Sequence, residues 1–110
     1  MSKNKIRVAA VQFGVGDKVE ENLETSLKMI TNASKCNPSL IVLPEFINHC
    51  SWYENQDHCY SVAVEIDGYF LDEISKKASN YEIFIVVNCT VRREENKVSG
   101  TNILFGPNGN

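Results

Sequence analysis

The sequence lacks any long hydrophobic run, any excess of one charge and any low-complexity tract. No apolar stretch approaches the roughly 20 residues that a membrane span requires. The first apolar stretch, Val8 to Val11, is stopped by Gln12 and is too short for the core of a signal peptide. A cytoplasmic location is therefore expected, and the four cysteines should be reduced thiols.

Charge excludes two further classes of partner. The 11 basic and 14 acidic residues give a net charge of -3 and are intermixed along the chain. Nothing in this pattern predicts binding to nucleic acid or to a membrane surface. With 110 residues, 43% hydrophobic content and only three prolines, the chain has the composition of one ordinary globular unit.

The first third of the sequence predicts a strand followed by a helix. The strand is the apolar, β-branched segment Ile6 to Phe13, and Gly14 to Gly16 makes the turn after it. Asp17 is predicted to cap the helix, with Glu20 as its capping-box partner, and the helix should end near Asn37. One face of this helix carries an apolar stripe formed by Val19, Leu23, Leu27 and Ile30.

The rest of the chain continues the alternation. Leu40 to Leu43 is apolar at every position, as in a strand covered on both faces, and 47–66 is less regular. A second helix should open at Asp67 and Gly68, and strands are predicted at Glu82 to Asn88 and, after a charged turn, at Thr101 to Phe105. The order βαβαββ predicts an α/β fold with a mostly parallel sheet and right-handed crossovers. The apolar stripe of the second helix is Phe70, Leu71, Ile74 and Ala78.

Glu45 stands at the end of the second predicted strand. Pro44 cannot donate to the sheet and holds Leu43 extended, so the chain should leave the sheet at this point. Ligands of open parallel sheets bind outside the carboxyl ends of the strands. By position alone, Glu45 is either a catalytic base or an ordinary polar residue after a strand.

Several segments together resemble the N-terminal part of the nitrilase, or carbon-nitrogen hydrolase, superfamily. They are IRVAAVQ (6–12), Asn22-Leu23, LIVLPEF (40–46), a strand running into Asn88, and TNILFGPNG (101–109). Each segment alone is a weak signal, whereas their order and spacing extend over essentially the whole chain. Residues 1–110 are thus similar to an incomplete, N-terminal portion of one carbon-nitrogen hydrolase domain.

The resemblance implies an αββα sandwich, in which two sheets pack face to face with helices outside. The present chain would form a βαβαββ half with its helices on one face. The resemblance also implies a Glu-Lys-Cys catalytic set that cleaves the C–N bond of an amide or N-carbamoyl compound, or less often a nitrile, through a thioester. Its general base corresponds to Glu45, expected in a largely buried crevice. It implies a small-molecule substrate and no cofactor.

The other two members of the catalytic set have no counterpart in this chain. By resemblance, the lysine and the cysteine lie beyond Asn110. Lys97 precedes the Thr101 segment and lies in a charged loop, and no cysteine here has the sequence context of the nucleophile. The isolated chain is therefore expected to be inactive, which leaves its status as an enzyme open.

The segment after Glu45 offers a weaker set of candidates. By resemblance, His49, Trp52 and Tyr53 belong to a loop that overhangs the active site and shapes the substrate pocket. Trp52 and Tyr53 are equally consistent with simple packing. His49-Cys50 and His58-Cys59 also form a doubled pair of metal-type ligands. A metal site is not expected, because adjacent residues rarely point at one ion.

One face of the predicted sheet has no cover. The strands are apolar on both faces, yet the helices can cover only one. An isolated chain should therefore be marginally stable or aggregation-prone, and should need a missing C-terminal segment or a homo-oligomer. Two alternatives to a hydrolase remain: a non-catalytic remnant that serves as an interaction module, and a small flavodoxin-like binding domain.

Overall fold

Four strands and three helices make up residues 5–110, the part of the chain that the computed structural model describes. The elements are β1 (Val8–Ala10), α1 (Val19–Ser34), β2 (Leu40–Val42), α2 (Gln56–Val62), α3 (Tyr69–Tyr81), β3 (Phe84–Arg92) and β4 (Val98–Phe105). None of the helices in this range combines the length and the apolar character that crossing a membrane would require.

The strands form one sheet in the order β1-β2-β3-β4. β1, β2 and β3 are parallel neighbours, and β4 pairs antiparallel with β3. The predicted α/β fold with a mostly parallel sheet is confirmed. The flavodoxin-like alternative is wrong, because that topology places the first strand inside the sheet, whereas within residues 5–110 β1 pairs with β2 alone and stands at the edge.

The core lies between the sheet and the helices α1 and α3. Ile41, Ile85 and Val87 point from the sheet into this layer and are fully buried. Both predicted helical stripes are confirmed, because their side chains are buried in this core or packed against it. Burial of these side chains is the main source of stability, at about 25 cal/mol for each Å² of apolar surface removed from water.

The start of α1 differs from the prediction. The helix begins at Val19 after Lys18, and no side chain forms a cap hydrogen bond, so the predicted capping box of Asp17 and Glu20 is wrong. Instead, Asn22 bonds back to the preceding turn: its Oδ1 accepts from Gly16 N–H, and its Nδ2 donates to Gly16 O, each at 2.9 Å. These bonds hold the turn before α1 against the first turn of the helix.

The hairpin of β3 and β4 is longer than predicted, and α2 was not predicted. The charged segment 91–100 was expected to be a turn, but Arg92 pairs with Val98 and only 93–97 connect the strands. Backbone pairing accepts polar residues that face solvent, so the composition of this segment did not reveal the longer hairpin.

The helix α2 has no buried residue, and the sequence therefore shows no apolar stripe that would predict it.

The sheet face opposite the helices is apolar and open. Across this face, Val8 is aligned with Leu40 and Phe84, while Val86 is aligned with Leu104. The exposed fractions of Val8, Phe84 and Leu104 are 49%, 42% and 57%. We call this surface the open face; it is the face that the sequence predicts to lie uncovered.

Candidate active site at the end of the second strand

Glu45 lies just beyond the carboxyl end of β2. Leu43 N–H donates to Val86 O of β3 at 3.2 Å, and the next residue, Pro44, has no N–H with which to continue the ladder. The chain then turns through 45–48. Glu45 is therefore placed where parallel sheets bind their ligands, as the sequence predicts.

A cleft of about 300 Å³ opens beside this carboxylate. Its polar lining comes from Gln12, Glu45 and Ser51, and its apolar lining includes Phe13 and Phe46. The prediction of a largely buried crevice is wrong for residues 5–110, because Glu45 is exposed. The reason is geometric: the cleft lies at the edge of the open face, where nothing in the described range covers it.

Asn88 fixes the peptide that follows Glu45. Its side-chain Oδ1 accepts a hydrogen bond from Phe46 N–H at 2.8 Å, and its backbone oxygen accepts from Ile47 N–H at 3.0 Å. Phe46 has a φ of 48°, a left-handed conformation that costs a non-glycine residue about 1–2 kcal/mol. The strand β3 thus holds the turn in a conformation that the turn would not favour alone.

Two buried asparagines connect the loops around the cleft. Asn48 is fully buried; its Nδ2 donates to Val62 O and its Oδ1 accepts from Thr90 N–H, both at 3.0 Å. Asn22 donates to Asn48 O at 2.9 Å. Because every polar atom of such a buried amide needs a partner, these bonds fix the loop positions. The sequence motifs include Asn22 and Asn88 without assigning them a role, and nothing in the local sequence indicates Asn48, whose partners Val62 and Thr90 are distant along the chain.

His49, Trp52 and Tyr53 form an aromatic cluster beside the cleft. The His49 ring is 1% exposed, stacks on Tyr53 at 5.3 Å between centroids, and meets His58 edge-on at 5.3 Å. Trp52 is 65% exposed and contacts His58 edge-on. None of the three lines the 300 Å³ cleft, to which this loop contributes Ser51. That they shape a substrate pocket stays a prediction.

The doubled His-Cys pair packs as part of this cluster. His49 Nδ1 lies 2.7 Å from Cys50 O and therefore carries the proton, while His58 Nδ1 accepts from Glu54 N–H at 3.1 Å. The Nδ1 atom of each histidine is thus bonded to the backbone. Within residues 5–110, no three His, Cys, Asp or Glu side chains are grouped as a metal site would require.

Lys97 does not line the cleft beside Glu45, where an oxyanion-stabilising lysine would be needed. It lies in the β3–β4 connection, its side chain is 71% exposed, and its Nζ is 3.7 Å from Glu95 Oε2. All four cysteines are free thiols, and none lines the cleft beside Glu45. Among the described residues, the cleft is therefore lined by one glutamate and by no lysine or cysteine.

We expect Cys89 to resist alkylation until the chain unfolds. Its side chain is fully buried, and this burial raises the pKa of the thiol from 9.0 to about 11. The thiolate is the reactive form, so iodoacetamide at pH 8 should modify the exposed Cys36 first. Peptide mapping after timed alkylation measures the order in which the thiols react, and equal rates at Cys36 and Cys89 in the folded chain would contradict the burial of Cys89.

The raised pKa of Cys89 also means that the folded state holds the thiol proton more tightly than the unfolded state. The free energy of unfolding should therefore fall as the pH rises from about 9 toward 11.

Comparison with known proteins identifies the family of this chain. The family model for carbon-nitrogen hydrolases matches residues 7–110. Omega-amidase NIT2 of Xenopus tropicalis is 29% identical over 105 residues, which are 96% of this chain and 37% of that protein. The chain thus spans little more than a third of the length of this relative.

Two solved structures share the fold. Saccharomyces cerevisiae Nit3, of branch 10 of the nitrilase superfamily, superposes with a TM-score of 0.78 at 24% identity. The superposition covers 96% of this chain and 41% of the Nit3 chain. A carbon-nitrogen hydrolase from Helicobacter pylori G27 gives a TM-score of 0.81 at 14% identity, over 96% of this chain and 36% of its own. At these identities the structures show the fold alone. Since the family match extends over nearly the entire sequence, the chain belongs to the carbon-nitrogen hydrolase family.

Proposed function

We propose that residues 5–110 supply the general base of a hydrolase that cleaves amide or N-carbamoyl C–N bonds, with Glu45 as that base. The observation that carries the proposal is the place of Glu45: it is a carboxylate at the carboxyl end of a parallel strand, on a cleft, in a chain of this family. The lysine and the nucleophilic cysteine would come from polypeptide beyond Asn110.

The proposed reaction has two halves. In the first, Glu45 takes the proton of the cysteine thiol, and the thiolate attacks the substrate carbon while the lysine stabilises the oxyanion. The tetrahedral intermediate collapses to a thioester, and the protonated Glu45 gives its proton to the leaving amine or ammonia. In the second half, Glu45 takes a proton from water and the hydroxide attacks the thioester carbon, so that the C–S bond breaks and the carboxylic acid is released. Glu45 then returns its proton to the thiolate, which restores the thiol.

An amide is the preferred substrate class in this proposal. The support is the relative from Xenopus tropicalis, whose name describes an amidase. The cleft of this chain adds Gln12 and Ser51, which can donate hydrogen bonds to a carbonyl oxygen and accept them from an amide N–H. A nitrile has no N–H to donate, so it would use fewer of these groups. We place the reaction in the cytoplasm, where the free thiols would stay reduced.

The open face supports the view that this chain works as part of a larger unit. Val8, Phe84 and Leu104 leave a substantial apolar area in water, and covering it would stabilise the fold. We propose that polypeptide following Asn110 packs a second sheet on this face and closes the cleft over Glu45. Coverage by a second copy of residues 1–110 is the competing outcome, which the molecular mass in solution distinguishes.

A non-catalytic interaction module is the second candidate function. It is favoured by the exposure of Glu45 and by the lack of a lysine or cysteine on the cleft among the described residues. Such a module would use the same open face to bind a longer homologue. It would need no catalytic base, so Glu45→Gln would leave its binding unchanged.

Reading the coding sequence downstream of codon 110 separates the two candidates. The hydrolase proposal predicts an in-frame lysine soon after Asn110 and a cysteine well beyond it. The longer product should hydrolyse amides, whereas the chain of residues 1–110 should show no turnover. Absence of both residues from every neighbouring frame would contradict the hydrolase and leave the interaction module.

A further inference from the structure

We propose that Asn88 is a positioning residue for Glu45, acting through the peptide of Phe46. This inference rests on the proposed function, since it assigns a partner to the proposed base. The Oδ1 of Asn88 accepts from Phe46 N–H at 2.8 Å, one peptide after Glu45. The direction in which the Glu45 side chain leaves the backbone is therefore set by a hydrogen bond that Phe46 N–H donates to the neighbouring strand.

The amide of Asn88 is itself held in one orientation. Its Nδ2 donates to Asn102 Oδ1 at 2.8 Å, across the β3–β4 pair. Only the oxygen of the amide can accept from Phe46 N–H, so the two bonds together assign which end faces the turn. Asn102 thus orients Asn88, and Asn88 orients the peptide after Glu45.

The ring of Phe46 is restrained from the other side. A Cβ added at Gly100 would lie 3.4 Å from Phe46 Cε1, so the ring packs across β4 at the position where the strand has no side chain. With its N–H bonded to Asn88 and its ring on Gly100, Phe46 is kept at a φ of 48°. Left-handed φ values in non-glycine residues persist where the surroundings determine them, and they concentrate at functional sites.

The bond is also separable from the rest of the turn. Ile47 N–H bonds to the backbone oxygen of Asn88 at 3.0 Å, and Thr90 N–H bonds to Asn48 Oδ1. Neither bond needs the Asn88 side chain. Removing that side chain should therefore release Phe46 while Ile47 and Thr90 keep their partners, which a general loss of structure would not do.

Hydrogen exchange with residue-level fragmentation tests this on the chain itself at micromolar concentration. In Asn88→Ala, exchange of the Phe46 amide should accelerate about tenfold, while that of Ile47 stays unchanged. Asn88→Asp keeps an acceptor for Phe46 N–H, and Asn102 can turn its own Nδ2 toward it, so protection should return. The matched control is Asn48→Ala, which also loses two side-chain bonds but should release Thr90 and leave Phe46 protected.

The kinetic readout uses the longer product that carries the nucleophile. There Asn88→Ala should lower kcat by about 10- to 100-fold with KM nearly unchanged, because the base is misplaced while binding is kept. An unchanged Phe46 amide, or joint release of Phe46 and Ile47, would overturn the proposal. So would an unchanged kcat alongside a released Phe46 amide. If Glu45→Gln keeps full activity while Asn88→Ala still releases Phe46, the proposed function has failed and the hydrogen bond stands.

Discussion

Replacing Glu45 by glutamine in the complete enzyme is expected to lower kcat by about 10²- to 10⁴-fold, the range that a positioned general base contributes. Glutamine keeps the size and the hydrogen-bonding atoms of the side chain but cannot take a proton from the thiol or from water. Both halves of the reaction need that transfer, so no step should bypass it. Steady-state hydrolysis of a small amide measures the effect.

A matched control separates the loss of a base from the loss of a charge. Glu21→Gln makes the same chemical change at an exposed residue in the first turn of α1, whose side chain does not line the cleft. It should leave kcat and KM unchanged. If Glu45→Gln instead raised KM and kept kcat, Glu45 would contribute only to binding, and the assignment as a base would be wrong.

The largest expected effect on stability follows from Ile85→Ala. Ile85 is fully buried at the centre of the sheet, where it is aligned with Ile41 on β2 and Phe105 on β4. Removing three carbon atoms there loses burial and leaves a cavity, which lowers the free energy of unfolding by about 2–5 kcal/mol. Urea unfolding at low protein concentration measures the change, with the slope m expected to stay constant.

Leu104→Ala is the matched control, because it removes the same number of carbon atoms from the opposite face of the same sheet. Leu104 is 57% exposed, so in the chain of residues 1–110 the cost should be less than about 1 kcal/mol. In the longer product, where a second sheet is proposed to cover the open face, the cost should rise toward that of Ile85→Ala. Equal costs of both substitutions in the isolated chain would mean that a second copy already covers this face.

The elements that build the core were predictable because their side chains carry a periodic signal. Ile30 and Ile74 belong to apolar stripes that repeat at helical spacing on the buried faces of α1 and α3. Ile41 belongs to a strand that is apolar at every position. The position of Glu45 was also predictable from local sequence, because Pro44 has no N–H and therefore ends the ladder of hydrogen bonds just before Glu45. These inferences need only local sequence.

The surroundings of Glu45 were not predictable, because they depend on contacts between distant segments. The Asn88 side chain accepts a hydrogen bond from Phe46 N–H, 42 residues away in the sequence, and the Asn48 side chain accepts one from Thr90 N–H, also 42 residues away. An asparagine in a strand or turn gives no local sign of its partner. The same limit explains the exposure of Glu45, which depends on what covers the open face.

The most direct test of the account compares amide hydrolysis by residues 1–110 with that by the longer product, each with Glu45 and with Glu45→Gln. The account predicts turnover only by the longer product carrying Glu45, and none by the chain of residues 1–110. Turnover by residues 1–110 alone, abolished by Glu45→Gln, would contradict it, since the nucleophile would then have to be one of the four cysteines already present.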